Sequence, residues 1–300
     1  MPRSGPPRCR YRTVWISDTH LGAVGAQADE LAFFLKNITC DELFLVGDII
    51  DMWRLKQRWW WPAAHNTVVR RIMKMAGRGT RVVFIPGNHD DGARQFAGHE
   101  FGGIEIALNA THTTADGRHL LVCHGDQYDL VVQHHQLLSK AGAIAYDLLL
   151  VVNRWWNRWR AFRGQPYYSL SADIKQSVKK VCQFVSNFEQ ELVAEARRGG
   201  FHGVVCGHIH KSACEADLGG AGIAYFNCGD WVESCTALVE HDDGRIEVVD
   251  GLAFNAKVRA ASAADATLHE ADDEWTPPAM PFPLPEVPTR PAAPRLEGVA

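Results

Sequence analysis

Asp18 and His20, Asp48 and Asp51, Asn88, His89 and Asp90, His124 and Asp126, and His208 and His210 fall in five short stretches of this 300-residue chain. Each stretch alone recurs by chance, and a solitary histidine is more often a surface or hydrogen-bonded residue than a ligand. Five in this order, each after an apolar run, predict something narrower: donors for two divalent ions held side by side. Asp48, in a Gly-Asp turn, is the expected bridge. Asp18, His20 and His210 would complete one ion, and Asn88, His124 and His208 the other. Carboxylate, imidazole and amide donors without a thiolate favour Mn2+, with iron or zinc as alternatives, over a structural zinc site. Two such ions clamp phosphoryl oxygens and activate water for in-line attack. The expected chemistry is hydrolysis of a phosphate ester or anhydride.

His89, beside the ligand Asn88, is expected to face the leaving-group oxygen and donate a proton or stabilise charge. Asp90 would orient His89, and Asp51 would support a ligand from behind. His65, His99, His112, His119, His134, His135, His202, His241 and His269 are expected to be ordinary structural or surface residues.

Such donors need rigid elements to aim them. The apolar runs at 13–17, 43–46, 81–85, 120–123 and 203–206 read as buried strands, each emptying into one motif. Ligand residues at the carboxyl ends of strands are the usual layout of an α/β sheet. Residues 27–37 and 64–76 carry apolar side chains at helical spacing. Short strands at 223–227, 236–240 and 246–249 follow late in the chain. The expected fold is a sheet sandwich flanked by helices.

Residues 127–198 interrupt the pattern and predict a helical cap inserted between two ligand-bearing strands. Within 151–183 lie seven Lys or Arg and one acid, with Trp155, Trp156 and Trp159 interleaved. Trp with Arg suits an interfacial segment on anionic lipid, or an acylated, pyrophosphate-bearing substrate. A packed cap with solvated arginines explains the tryptophans equally well. Ser171, Lys175 and Lys179 share one helical face; with Arg163 and Asp126 they are candidate substrate contacts.

Composition narrows the rest. The chain is 46% hydrophobic and 22% charged with a net charge of −4, which argues against nucleic acid as a partner. Eight cysteines without a CxxC pair suggest reduced thiols and a cytoplasmic setting. Residues 1–10 read as a loose arm without a signal peptide, and the apolar stretch 141–152 is too short to span a bilayer. From 257 onward Ala and then Pro dominate, with eight of the fourteen prolines between 277 and 294; that composition predicts a disordered tail after a domain ending at 256.

The motifs Asp18-Thr-His20, Gly47-Asp48-Ile-Ile-Asp51, Gly87-Asn88-His89-Asp90, His124-Gly-Asp126 and Gly207-His208-Ile-His210 resemble those of the calcineurin-like metallophosphoesterases, over roughly residues 13–250. The resemblance implies a four-layer αββα sandwich and a dinuclear site with the ligands named above. The helical insertion and the segment beginning Asn227-Cys-Gly-Asp look like the bacterial UDP-2,3-diacylglucosamine hydrolase group. That implies cleavage of a sugar-nucleotide pyrophosphate to UMP and an acylated sugar 1-phosphate. One departure stands out: the best-known branch of that group carries Arg where this chain has His89. A phosphodiesterase or phosphomonoesterase with a small soluble substrate is therefore the alternative.

Overall fold

The apolar runs ahead of the first three motifs form neighbouring parallel strands. In the computed structural model, which describes residues 8–128, 185 and 187–265, β1 (Cys9–Ile16), β2 (Ile38–Val46) and β3 (Arg81–Ile85) lie side by side. β4 (Glu100–Phe101) and β5 (Ile104–Ile106) extend this sheet at one edge, and β11 (Thr236–Glu240) and β12 (Ile246–Asp250) at the other. The order is β12-β11-β1-β2-β3-β5-β4. β6 (Ala110–Thr113), β7 (His119–Val122), β8 (Gly203–Cys206), β9 (Ala213–Glu215) and β10 (Ala224–Asn227) form a second sheet, ordered β6-β7-β8-β10-β9. Strands covered on both faces read as continuous apolar runs rather than as alternation. That is why β3 and β8 match the sequence reading residue for residue.

The sheets face each other over Trp15, Phe44, Val83 and Ile85 on one side and Leu120, Val122, Val205 and Phe226 on the other. Behind the first sheet lie α1 (Ala28–Lys36) and α3 (Ala63–Ala76), with the short α2 (Met52–Gln57) between them in sequence. Leu31, Phe34 and Leu35 of α1 are buried with Val68 and Ile72 of α3; full burial of such a side chain contributes about 1.5–3 kcal/mol. Asp29 and Glu30 in the first turn of α1 and Lys36 in its last complement the helix dipole. Behind the second sheet, α4 (187–198) buries Phe188, Leu192, Val193 and Ala196 against Leu121, Val204 and Tyr225. The layers run helix, sheet, sheet, helix: an αββα sandwich.

The boundaries differ from expectation in three places. Residues 9 and 10 open β1 rather than belonging to an arm. The end of the expected cap, 187–198, is the fourth layer of the sandwich, because its apolar stripe covers the second sheet. Helix α5 (Gly251–Asp265) runs past residue 257, docked on α1 through Arg259 and Glu30 at 3.0 Å. The rest of the cap, with its Trp and Arg residues, and the Pro-rich segment lie outside the described residues. Seven described cysteines are free. No described helix is long and apolar enough to cross a membrane.

Candidate metal centre

β1 and β2 end together, and their loops go on hydrogen-bonding beyond the strands. The Asp18 N–H donates to Gly47 O at 3.0 Å, that of His20 to Asp48 O at 2.9 Å and that of Leu21 to Ile49 O at 2.9 Å. This pairing sets Asp18, His20 and Asp48 side by side. Asp18, His20, Asp48, His208 and His210 all have positive φ, from 46° to 72°. Among the described residues Cys235 is the one other non-glycine that does. Asp and His tolerate this region better than most side chains, yet each such residue costs on the order of 1–3 kcal/mol. Five converging on one spot mark donors held where regular backbone would not put them.

Two glycines make room. Gly47 has φ of +79°, and a Cβ there would collide with the His124 imidazole; one at Gly87 would collide with the Asp48 carboxylate.

The ligand atoms of Asp18, His20 and His210 lie within 4.8 Å of one another, as do those of Asp48, His124 and His208. Asp18 Oδ1 stands 3.2 Å from His210 Nε2. Asp48 Oδ2 lies 3.5 Å from His124 Nε2 and 3.9 Å from His20 Nε2, and so between the two groups. The His124 Nδ1–H donates to Val46 O at 2.9 Å, which leaves the lone pair on Nε2. Asn88 Oδ1 and His124 Nε2 are buried without a hydrogen-bond partner among the described residues. Leaving such an atom unsatisfied costs about 1–3 kcal/mol, a deficit that a bound cation removes.

Electrostatics point the same way. Burial would drive His124 towards neutrality, but Asp48 beside it, with Asp18 and Asp126 behind, pushes its pKa up to about 10. Burial also opposes charge on His210, and Asp18 overcomes it and raises that pKa. Asp48 is held well below the usual carboxylate range: burial opposes, and His124, His89 and His20 outweigh it. Carboxylates this confined draw positive charge, as protons on histidine or as metal. Shared oxygen and nitrogen donors, no thiolate and partnerless buried acceptors together fit a pair of divalent ions.

Around this nest, Asp51 stands behind the expected ligand His20 and also takes the place beside His89 expected of Asp90. Asp90 does not orient His89. Its buried carboxylate accepts from the backbone N–H groups of Ile49 at 2.7 Å, Asp48 at 3.3 Å and Gly87. Burial and the nearby Asp48 charge push its pKa up to about 6. Asp51 instead lies 3.1 Å from His89 Nδ1 and 3.4 Å from His20 Nδ1, while its side chain caps α2 by accepting from Arg54 N–H. The His89 ring also packs against Trp53, tilted by 31° with centroids 4.2 Å apart.

Asp126, a candidate substrate contact, is engaged within the protein. Arg94 Nη2 donates to both its oxygens at 2.7 and 2.8 Å and to Pro86 O at 3.2 Å, tying the loop after β7 to the loop after β3. Ser171, Arg163, Lys175 and Lys179 lie outside the described residues. Arg94 and Trp53 were not singled out by sequence, and Asn227 only as the first residue of a segment with a family likeness. Asn227 Nδ2 donates to Gly207 O at 2.9 Å, and the Trp231 N–H to Asp18 O at 3.1 Å, closing the nest from a third side. His65, expected to be structural, is buried and accepts the Gly22 N–H at 3.1 Å.

A family model described as calcineurin-like phosphoesterase matches residues 11–212. A UDP-2,3-diacylglucosamine hydrolase from Neisseria gonorrhoeae (strain ATCC 700825 / FA 1090) is 27% identical over 119 residues, 37% of this chain and 47% of that protein. The chain thus spans about half the length of that relative. Among solved structures, Vacuolar Protein Sorting 29 from Cryptosporidium parvum aligns with a TM-score of 0.35 at 13% identity, covering 79% of this chain and 94% of that one. A conserved phosphoesterase-like protein from Streptococcus pneumoniae TIGR4 aligns at 0.33 and 12%, covering 80% and 97%.

Proposed function

The chain belongs to the calcineurin-like phosphoesterase family; we propose that it is a metal-dependent phosphoester hydrolase that cleaves the pyrophosphate of UDP-2,3-diacylglucosamine or a related nucleotide-linked amphiphile, giving UMP and an acylated sugar 1-phosphate. The observation that carries the hydrolytic reading is the pair of donor groups around Asp48. For the substrate, support comes from the partial match to the Neisseria enzyme and from the Trp- and Arg-rich segment 151–183.

Asp18, His20 and His210 would hold one divalent ion and Asn88, His124 and His208 the other, with Asp48 shared; Mn2+ is the proposed metal. Bound there, the ions supply Lewis acidity towards phosphoryl oxygens and lower the pKa of water. His89 would serve the leaving group. Asp51 Oδ1 lies 3.1 Å from its Nδ1, an ion pair when the ring is protonated, so Nε2 is the nitrogen that would hand over a proton. Burial opposes charge on His89, but Asp51 and Asp48 overcome it and raise its pKa. The proposed setting is the cytoplasm, with peripheral contact to anionic membrane through the Trp and Arg residues of 154–163. His89 in place of Arg favours a second reading, a small soluble phosphodiester or phosphomonoester.

The test is Mn2+-dependent UMP release from UDP-2,3-diacylglucosamine in mixed micelles, beside a generic chromogenic phosphodiester. We expect both activities, each lowered at least about 100-fold in Asp48→Ala. Cleavage of the generic ester alone would overturn the named substrate. Undiminished turnover in metal-free buffer would overturn the site.

A further inference from the structure

β8 and β10 pair as far as Cys206 and Asn227, so the ladder stops one residue short of Gly207. The residues beyond carry two expected ligands, His208 and His210, with φ of 72° and 54°. Gly207 keeps one backbone bond, to His124 O at 3.2 Å. Its carbonyl is held by a side chain: Asn227 Nδ2 donates to it at 2.9 Å. Asn227 Oδ1 accepts the Gly229 N–H at 3.0 Å, and Gly229 O accepts the Ser17 hydroxyl at 3.0 Å. Ser17 leads into Asp18, whose Oδ2 accepts the His208 N–H at 3.0 Å. His208 follows Gly207, and the circuit closes. Hydrogen bonds and peptide links thus form a ring through three loops, one from the first sheet and two from the second.

The ring is tight and dry. Ser17, Asp18 and Asn227 are fully buried. A Cβ on Gly207 would collide with Ser17 and Asp18, and one on Gly229, where φ is +75°, with the Thr236 hydroxyl. The chemistry of the linking residue is specific. A primary amide offers two N–H groups and one acceptor. One N–H goes to Gly207 O, and the other faces the Tyr225 hydroxyl at 3.2 Å and Cys206 Sγ at 3.3 Å. An aspartate here would set an oxygen against Gly207 O and leave that buried carbonyl without a donor.

We propose that Asn227 is a positioning residue for both ions. Through Gly207 it fixes the loop that bears His208 and His210; through Gly229 and Ser17 it sets that loop against Asp18. His208 groups with Asp48 and His124, and His210 with Asp18 and His20, so one amide governs donors of both groups. Supports of this kind behind a metal's ligands tune its affinity about 10–100-fold. The proposal rests on the two-ion assignment given above.

The test is Mn2+ binding to the metal-free full chain by calorimetry, with the visible spectrum of the Co2+-loaded protein as a report on ligand geometry. Asn227→Ala and Ser17→Ala open the ring at different points. Each should weaken both ions about 10-fold or more and alter the Co2+ spectrum. The double variant should bind no more than about threefold less tightly than Asn227→Ala, because an open ring is not opened again. Tyr225→Phe keeps the bonds to Gly207 and Gly229 and should stay within about twofold of the parent. Parental affinity and spectrum in Ser17→Ala would overturn the proposal, a result that stands even where Asn227→Ala fails to fold. Multiplying losses in the double variant would also overturn it, as would a loss in Tyr225→Phe equal to that in Asn227→Ala. A parent that binds no Mn2+ would overturn the ligand assignment and the proposal together; two ions bound equally well by parent and variants would overturn the proposal alone.

Discussion

His89 is clamped by Asp51, Trp53 and His20, and not by Asp90, its neighbour in sequence. The division follows from what each carboxylate can reach. Asp90 is drawn inward by backbone N–H groups that lack other acceptors, whereas Asp51, at the start of α2, faces the two imidazoles. Asp51→Asn keeps a good helix cap but loses the charge behind His20 and His89. It should lower kcat about 10–100-fold while leaving the urea midpoint unchanged; parental kcat would remove Asp51 from the mechanism. Asp90→Ala should instead act on folding. It strands the N–H groups of Ile49 and Gly87, at about 1–3 kcal/mol each, so urea unfolding should show a loss of about 3 kcal/mol.

Between elements, the Arg94–Asp126 pair joins two loops that carry donors from different sheets: Asn88 follows β3 in the first, and His124 follows β7 in the second. Asp126 is nearly buried and Arg94 about one-third exposed, so the pair is only partly screened. A double-mutant cycle with Arg94→Ala and Asp126→Ala should return a coupling of about 1 kcal/mol in stability. Each single variant should also bind Mn2+ about 10-fold more weakly by calorimetry. Additive single effects with parental metal affinity would reduce the pair to surface decoration. Neither partner announces this in sequence, because Arg94 sits in a short 3-10 turn and its partner is 32 residues away. The strands are different: β3, apolar after its exposed Arg81 and stopped by Pro, and β8, stopped by Gly, were legible from their residues alone. β6 was not, since Ala110-Thr-His-Thr carries no apolar run.

Across the whole molecule, the two sheets are locked by a buried ionic cluster as well as by their apolar faces. His112 of β6 reaches from the second sheet to Glu240 of β11 at 2.7 Å and Glu42 of β2 at 3.3 Å, with Arg12 of β1 on Glu240 at 2.8 Å. Burial disfavours the His112 cation, but Glu240 and Glu42 overcome it and raise the pKa above its ordinary 6.5. A raised histidine stabilises fully below its unfolded value, and that stability is lost as pH rises through the folded value. Glu42 and Glu240 are shifted down, with His112 the partner common to both; their contribution is present above the ordinary 4.5 and lost as pH falls through the lowered values. The urea midpoint should therefore decline as pH rises beyond 6.5, and His112→Gln should make that limb shallower while leaving the share owed to His89, His124 and His210. An identical decline in the variant would assign the pH dependence elsewhere.

The five motifs and their place at strand ends were determined by sequence, because side chains at a sheet edge must follow the strands that aim them. Helix α1 and helix α3 were legible for a related reason: a face that packs on a sheet repeats every three or four residues. Tertiary structure alone decided what surrounds the donors. Asp51 rather than Asp90 supports His89, Arg94 claims Asp126, and the end of the expected cap is a layer of the core. Each of these depends on segments far apart in sequence arriving at one place, and on which buried hydrogen-bonding group finds a partner first. Periodicity and spacing carry the address of a side chain along the chain; only packing assigns its neighbours across it.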